Sequence, residues 1–410
     1  MQFATSLYRQ RADVLYHGYV RRDPMCLLQL APGRRDPYAI YEQMRAVAPI
    51  QPTRLGNWVT TSHVICRDVL RDRRLGVRPE SVDPADEDFD LSFLDRNPPD
   101  HTRLRRLAAP AFSPKHMAAY RPRIEKTVHA LIDDMERQAA GGHSVDLVAA
   151  FAAPLPITVI TDLLGIPDAR ATEFARYGAT IGSALDGIKS MRHASALMAA
   201  NRELEKLFGD LFALRRREPT DDVVSSLVAA EGDQISSDEL LPLCVLLLIA
   251  GFETTVNLIG NAVLGLLDHP HQWSLLREDR GLAPQAVEET LRFDPPVQRT
   301  ARVALHDMEL AGVTVRKDQF MVTLIGAANR DPEVYDRPAE YDITRQPSVE
   351  HLAFSAGIHY CLGQPLARLE AEVAFAAIAE RLPRLALAGP VRRRNATTIR
   401  GPLTLPVNVS

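Results

Sequence analysis

A mainly α-helical chain with small β-sheets at its margin, folded as one large domain, is the class that three features of the sequence predict. Apolar residues recur at helical spacing through most of the 410 residues, strand-like runs are few and short, and no Ser- or Gly-rich linker divides the chain. With 46% hydrophobic and 24% charged positions the chain can bury a large core. Length alone would allow two or three domains, so the single domain is an expectation from punctuation, not from size.

Helices are predicted over 37–48, 61–70, 100–109, 114–140, 146–164, 168–184, 190–217, 221–230, 237–268, 272–277, 284–293 and 365–381. Strands are predicted over 50–53, 58–60, 299–304, 313–315, 320–324 and within the tail 391–409. Residues 76–100 are acidic, Pro-rich and aperiodic, with Glu80, Asp83, Asp86, Glu87 and Asp88 among them. A loop this long inside a compact domain is either a solvated surface or a covering segment over a site.

Charge and cysteine usage exclude several classes. A net charge of −4 gives no general attraction to nucleic acid, so the runs Arg103–Arg106 and Arg392–Arg394 are local features. The four cysteines, at 26, 66, 244 and 361, form no CxxC, which leaves neither a zinc knuckle nor a disulfide framework and suits a reducing cytoplasm. Arg9, Arg11 and Asp13 interrupt the N-terminus before a signal sequence can form, and the apolar run Leu243–Phe252 is half the roughly 20 residues of a membrane span. The sequon Asn395-Ala396-Thr397 is then a chance match.

The helix predicted from Ser237 to Asp268 opens with a capping box, Ser236 and Glu239, and stops before Pro270. Its middle reads AGFETT. Gly251 there costs about 1 kcal/mol relative to alanine, and it shares a face with Leu247, Ala250, Thr254 and Leu258, so small side chains leave room beside that face. A threonine hydroxyl in mid-helix can bond back to a carbonyl. Glu253 is costly in an apolar helix unless paired or functional. Close packing between helices, with Glu253 turned to water, would produce the same pattern. In the segment EETLR, Glu289 and Arg292 are three apart and can pair, as many such residues do on solvated faces.

The segment FSAGIHYCLG places Cys361 in a glycine-rich loop just before a helix. A thiolate that serves as a metal ligand needs its charge stabilised, and helix N-terminal amides beside Gly363 provide that. Gly357 permits a tight turn ahead of the cysteine. Phe354 and His359 add an apolar ring and a donor.

Phe354, Gly357, His359, Cys361 and Gly363 together fill every defined position of F-x-x-G-x-H-x-C-x-G, and the segment resembles the cysteine loop of the cytochrome P450 family. Ala250, Gly251, Glu253 and Thr254 resemble that family's A-G-x-[DE]-T stretch, and Glu289 with Arg292 resembles its E-x-x-R pair. Further segments, NPPDHTRLRRL, DHPHQW and ANRDP, resemble the soluble, actinobacterial-like bacterial branch. The resemblance covers nearly the whole chain. It implies the single large triangular α-rich fold of that family over 1–410, with haem between the helix 237–268 and the loop 354–363.

By the same resemblance, Cys361 is the sulfur ligand of the iron of haem b (iron protoporphyrin IX), a ligand type that favours cleavage of the dioxygen bond. His101, Arg105, Arg302 and His359 are implied to hold the haem propionates, with Arg299 a competitor for Arg302. Phe354, Gly357, Gly363 and Ala250 complete the implied haem pocket. Dioxygen activation needs two protons, and Thr254 and Glu253 are implied to deliver them. Glu289 and Arg292 are implied to be a buried structural pair. The family's usual P-x-R-F pattern is replaced by RPAEYDITR, with Glu340 at the arginine position, which leaves Arg337 and Arg345 as candidates for a third partner.

The implied activity is monooxygenation of a small organic substrate, hydroxylation or epoxidation in secondary metabolism, with O2 as co-substrate. Electrons are implied to come ultimately from NAD(P)H through a separate ferredoxin and ferredoxin reductase, docked near Arg103, Arg106 and Arg368. No membrane and no nucleic acid partner is implied. Alternatives are a haem-thiolate enzyme doing peroxide-driven or oxidative coupling chemistry, and a non-oxidising haem-binding partner protein. Substrate contacts are expected from 76–97, Tyr177–Met198, Leu247–Thr254, Val297–Ala301 and Thr397–Ile399.

Overall fold

The computed structural model describes residues 9, 11–54, 56–82 and 90–409. Asp83, Asp86, Glu87 and Asp88 of the acidic stretch lie outside the described residues; Glu80 is exposed, 3.9 Å from Lys317.

The helix Ser237–Asp268 runs through the core with the bounds its caps predict. The Glu239 carboxylate accepts the Ser236 N–H at 3.1 Å and also receives Arg103 at 2.5 Å and 3.0 Å, which closes the N-terminus and holds Glu239 down to about 2. On one side this helix packs against Pro154–Leu164 and Asp168–Gly182; on another it meets Ala283–Phe293 and Gln364–Arg381, the helix that follows Cys361. Its length and apolarity would suit a membrane span, but most of that surface is covered by these neighbours.

A five-stranded sheet lies at the margin in the order Ile50–Pro52, Trp58–Thr60, Phe320–Thr323, Thr300–Ala304 and Leu75–Gly76. Trp58–Thr60 and Phe320–Thr323 run parallel, and the other pairs are antiparallel. The C-terminal tail supplies Arg392–Arg393 with Pro402–Thr404, and Pro406–Asn408 pairs with Val145–Asp146 and Ala386–Leu387. This pairing places the tail beside the core helices.

The helix expected over 146–164 is not continuous. Val145–Asp146 joins the tail strand, Val148–Ala152 forms a π-helical turn, and the α-helix starts at Pro154. The Asp146 carboxylate accepts N–H groups from Val148 and Leu405, which diverts the start of the segment into the sheet, and Pro154 suits the first helical turn. The short helices Pro24–Leu28 and Ala31–Arg35 were not predicted.

At Gly251 the close-packing alternative holds. A Cβ there would lie 2.5 Å from the Ile160 side chain, so the glycine lets Pro154–Leu164 approach the core helix and leaves no room on that side.

One core group stands out energetically. Glu370, on Gln364–Arg381, is 1% exposed, and neither carboxylate oxygen has a hydrogen-bond partner among the described residues. Burial pushes its pKa well above the ordinary value, so the folded state holds the proton where the unfolded chain releases it. The linkage therefore costs stability as pH rises above the unfolded value of about 4.3, by about 1.4 kcal/mol per pH unit until the folded group ionises. Glu370→Gln is expected to remove that slope. Denaturant unfolding of both proteins at several pH values checks it, and parallel pH dependences would contradict it.

Candidate active site

Cys361 sits in a loop built by local geometry. The Cys361 N–H donates to the Phe354 carbonyl at 2.9 Å, across a short 3-10 turn at Gly357–His359. Gly357 has φ +69°, and a Cβ there would approach the Leu70 carbonyl oxygen at 2.5 Å, so glycine is required both by conformation and by the end of His63–Arg71. Gly363 is different: its φ of −82° is open to any residue, and its contribution is the N–H it offers to the sulfur. Phe354 is buried, with the Arg368 guanidinium 4.6 Å from its ring centre.

Burial pushes the Cys361 thiol up, while the N–H groups of Gly363 and Gln364 and the charges of Arg105 and Arg368 pull it down. A thiolate there needs a further positive partner, which a coordinated metal ion provides.

Beside the cysteine loop, His101, Arg105, Arg302 and His359 are brought together from a helix, a strand and the loop itself. The rings of His101 and His359 lie 4.1 Å apart. Arg105 donates to the Tyr360 carbonyl at 2.6 Å, and Arg302 donates to Ala301 O at 2.9 Å and to Ser355 Oγ at 3.3 Å. Neither guanidinium meets a carboxylate among the described residues. Burial lowers Arg302 to about 10. Burial, then the two arginines, lowers His101 to about 4; burial, then Arg302, lowers His359 to about 3. Both ring nitrogens of His101 are buried without a hydrogen-bond partner. A buried cluster with two fixed positive charges and unused donors suits a dianionic ligand, and an iron porphyrin with two propionates has that charge. Arg299, the competitor, turns away to Thr397 Oγ1 at 2.9 Å.

On the core helix, Ala250 is exposed although the residues just before it are buried, so the packing is open at this turn. Thr254 lies on the same face, partly open, and its hydroxyl bonds back to the Ala250 carbonyl at 3.3 Å. Thr255 is buried and bonds back to Gly251, so the opening belongs to Thr254. Glu253 is 4% exposed and forms an ion pair with Arg394 of the tail, which excludes the alternative that it turns to water.

Glu289 and Arg292 form a two-pronged buried pair, with both contacts at 2.7 Å. Arg345 is the third partner, 3.3 Å from the Glu289 carboxylate, whereas Arg337 is exposed among Asp336, Glu340 and Asp342. The Glu340 carbonyl accepts from both Arg292 and Arg345, so the backbone at this position serves whatever the side chain.

All three arginines of the expected docking patch lie among the described residues. Arg103 is tied to Glu239 and Asp100 at the start of the core helix. Arg368 remains beside the cysteine loop, held by Glu288 at 2.6 Å and 3.0 Å, and Arg106 is exposed. Sequence reasoning gave no role to Arg394, Ser355 or Glu370, although Arg394 lies in the run Arg392–Arg394 and Ser355 in the cysteine loop.

A half-buried cysteine in a glycine loop, an anion-seeking cluster beside it, and a core helix opened at an alanine and a threonine define a haem-thiolate protein class. The cytochrome P450 family profile matches residues 78–383. The biotin biosynthesis cytochrome P450 of Bacillus subtilis is 38% identical over 364 residues, 86% of this chain and 91% of that one. The 6-deoxyerythronolide B hydroxylase of Saccharopolyspora erythraea is 37% identical over 398 residues, 91% of this chain and 96% of that one. Among solved structures, P450BioI in complex with hexadec-9Z-enoic acid ligated acyl carrier protein superposes with a TM-score of 0.85 at 38% identity, covering 92% of this chain and 98% of that chain. The chain belongs to the cytochrome P450 family and is an oxidoreductase of the monooxygenase type, with haem iron and dioxygen as its chemical means.

Proposed function

We propose that the chain, as one domain over 1–410, inserts one oxygen atom from O2 into a small organic substrate by hydroxylation or epoxidation, in secondary metabolism. The observation that carries this reading is the joint presence of Cys361, the carboxylate-free cluster of His101, Arg105, Arg302 and His359, and an open Thr254 beside a buried Glu253. Haem bound with Cys361 as its sulfur ligand supplies the dioxygen-activating chemistry. Arg105 and Arg302 would hold the propionates, with His101 and His359 as further donors to them. Phe354, Gly357 and Gly363 shape the sulfur loop, and Ala250 leaves its turn of the core helix open.

Thr254 donates its own hydroxyl proton to the Ala250 carbonyl, so its oxygen is left to accept from, and position, a proton-carrying water at the opening. Glu253, joined to Arg394, carries protons from the tail side toward Thr254. Electrons come from NAD(P)H through a separate ferredoxin and ferredoxin reductase, docking at the face that carries Arg106 and Arg368, in the cytoplasm. The intact Thr254 and Glu253 favour this reading over peroxide-driven or coupling chemistry, and Cys361 favours it over a non-oxidising partner protein.

Thr254→Ala is expected to keep electron consumption and to lower product formed per NAD(P)H by roughly tenfold or more, in keeping with the loss of a positioned proton donor. Parallel measurement of NAD(P)H oxidation and product checks it. Unchanged coupling would contradict the proton-delivery role.

A further inference from the structure

Residues 183–190 join the helices Asp168–Gly182 and Met191–Arg217, and a histidine in the first turn of the second helix fastens this loop at both ends. The Lys189 N–H donates to His193 Nδ1 at 3.0 Å. A ring nitrogen that accepts carries no proton, so the single proton of the neutral ring lies on Nε2. Nε2 is 2.8 Å from Ser183 Oγ and donates to it, and Ser183 Oγ donates its own proton to the Thr180 carbonyl at 2.6 Å. Each donor in this chain of bonds has its acceptor, and the arrangement exists only for the neutral ring. The His193 backbone N–H, in turn, donates to Ser190 Oγ at 3.0 Å and caps the second helix.

The fastened loop touches both members of the Glu253–Arg394 pair's surroundings. At its start, a Cβ on Gly182 would lie 3.2 Å from the Ile249 side chain and 3.7 Å from that of Glu253. Near its end, Lys189 Nζ donates at 3.2 Å to the carbonyl of Asn395, the residue after Arg394. Between these ends Gly187, with φ +79° and no atom within 4 Å of a Cβ built there, supplies an unobstructed hinge.

Burial, then the charge of Lys189, holds His193 below the ordinary histidine value of about 6.5. Among the described side chains Lys189 is the charged group that faces the ring. The first helix and the start of the loop present Thr180 and Ser183, and the second helix is entered at Ser190, none of which titrates in this range. Protonation would set a second donor on Nδ1 against the Lys189 N–H and break that bond. An open loop leaves the histidine with its ordinary affinity for the proton, so the open state binds the proton more readily than the closed one. Closure is therefore fully favoured above about pH 6.5 and weakens as pH falls, by up to about tenfold in the closed-to-open ratio per pH unit until the closed form is itself protonated.

We propose that His193 is a pH-sensitive clasp, which in its neutral form closes the loop 183–190 between the core helix and the C-terminal tail and on protonation releases it. The clasp goes beyond the monooxygenase function proposed above and does not depend on it.

Amide hydrogen exchange of the haem-loaded enzyme, corrected for the intrinsic effect of pH on exchange, tests it at the Gly187 and Lys189 amides. Their protection is expected to fall by about threefold or more between pH 7.5 and pH 5, while the amides of the core helix keep theirs. His193→Ala is expected to lower the protection of both amides at every pH and to remove the pH dependence. His193→Gln, whose amide can accept and donate without titrating, should show protection independent of pH, and it serves as the second variant if His193→Ala disturbs the helices. Protection in the unmodified enzyme that is equal at pH 7.5 and pH 5 would overturn the proposal. So would a pH dependence that persists in both variants, or a loss of protection at low pH that extends equally to the core helix.

Discussion

Cys361→Ser is expected to leave the helical fold intact and to abolish both the thiolate-type haem spectrum and substrate oxidation. The loop around residue 361 is held by the Cys361 backbone N–H on Phe354, by the left-handed Gly357 and by the packing of Phe354, none of which uses the sulfur. Serine retains the volume and hydrogen-bonding manner of a small side chain, but its hydroxyl does not ionise under the influence that lowers a thiol, so the electron-rich ligand is lost. Circular dichroism and the reduced carbon monoxide spectrum, measured together, check the two halves of the expectation. A variant with an unchanged thiolate spectrum would show that another group binds the iron.

Arg292→Ala is expected to destabilise the protein by about 3–5 kcal/mol, enough to remove much of the folded fraction of a typical domain. Arg292 is 2% exposed and serves Glu289 twice, along with the carbonyls of Asn329, Pro338 and Glu340. Truncation would strand the Glu289 carboxylate with only Arg345 and the Asp342 N–H, and would open a cavity beneath the segment before the cysteine loop. Lysine at 292 keeps one charge but cannot fork, so it should recover only part of the loss. Denaturant unfolding followed by haem retention checks this. A loss under 1 kcal/mol for the alanine variant would show that the pair is not structural.

Much of the fold was legible because its signals are local. The core helix has the exact bounds that Ser236, Glu239 and Pro270 announce, and Trp58–Thr60 and Val313–Val315 also match their predicted ends. Two-residue strands such as Leu75–Gly76 and Val145–Asp146 carry no period of their own and exist only through their partners. The same is true of Pro24–Leu28, too short to show a helical stripe although Asp23 caps it.

The candidate site divides in the same way. Cys361, Gly357 and Thr254 lie in compact motifs, so their neighbourhoods could be read from spacing. The partners across the fold could not. Arg394 meets Glu253 from 141 positions away, and Arg345 reaches Glu289 over 56. Gly251 carried an ambiguous signal, since a small residue in a helix opens a cavity or admits a neighbour by the same chemistry, and only the position of Ile160 decides between them.

The measurement to make is the absorption difference spectrum of the dithionite-reduced protein with and without carbon monoxide. A strongly red-shifted Soret band is expected, since Cys361 lies in a loop whose amides and nearby arginines favour a thiolate ligand to haem iron. A haem band at the ordinary position, or no haem band at all, would contradict the assignment of Cys361 and with it the proposed oxidation chemistry.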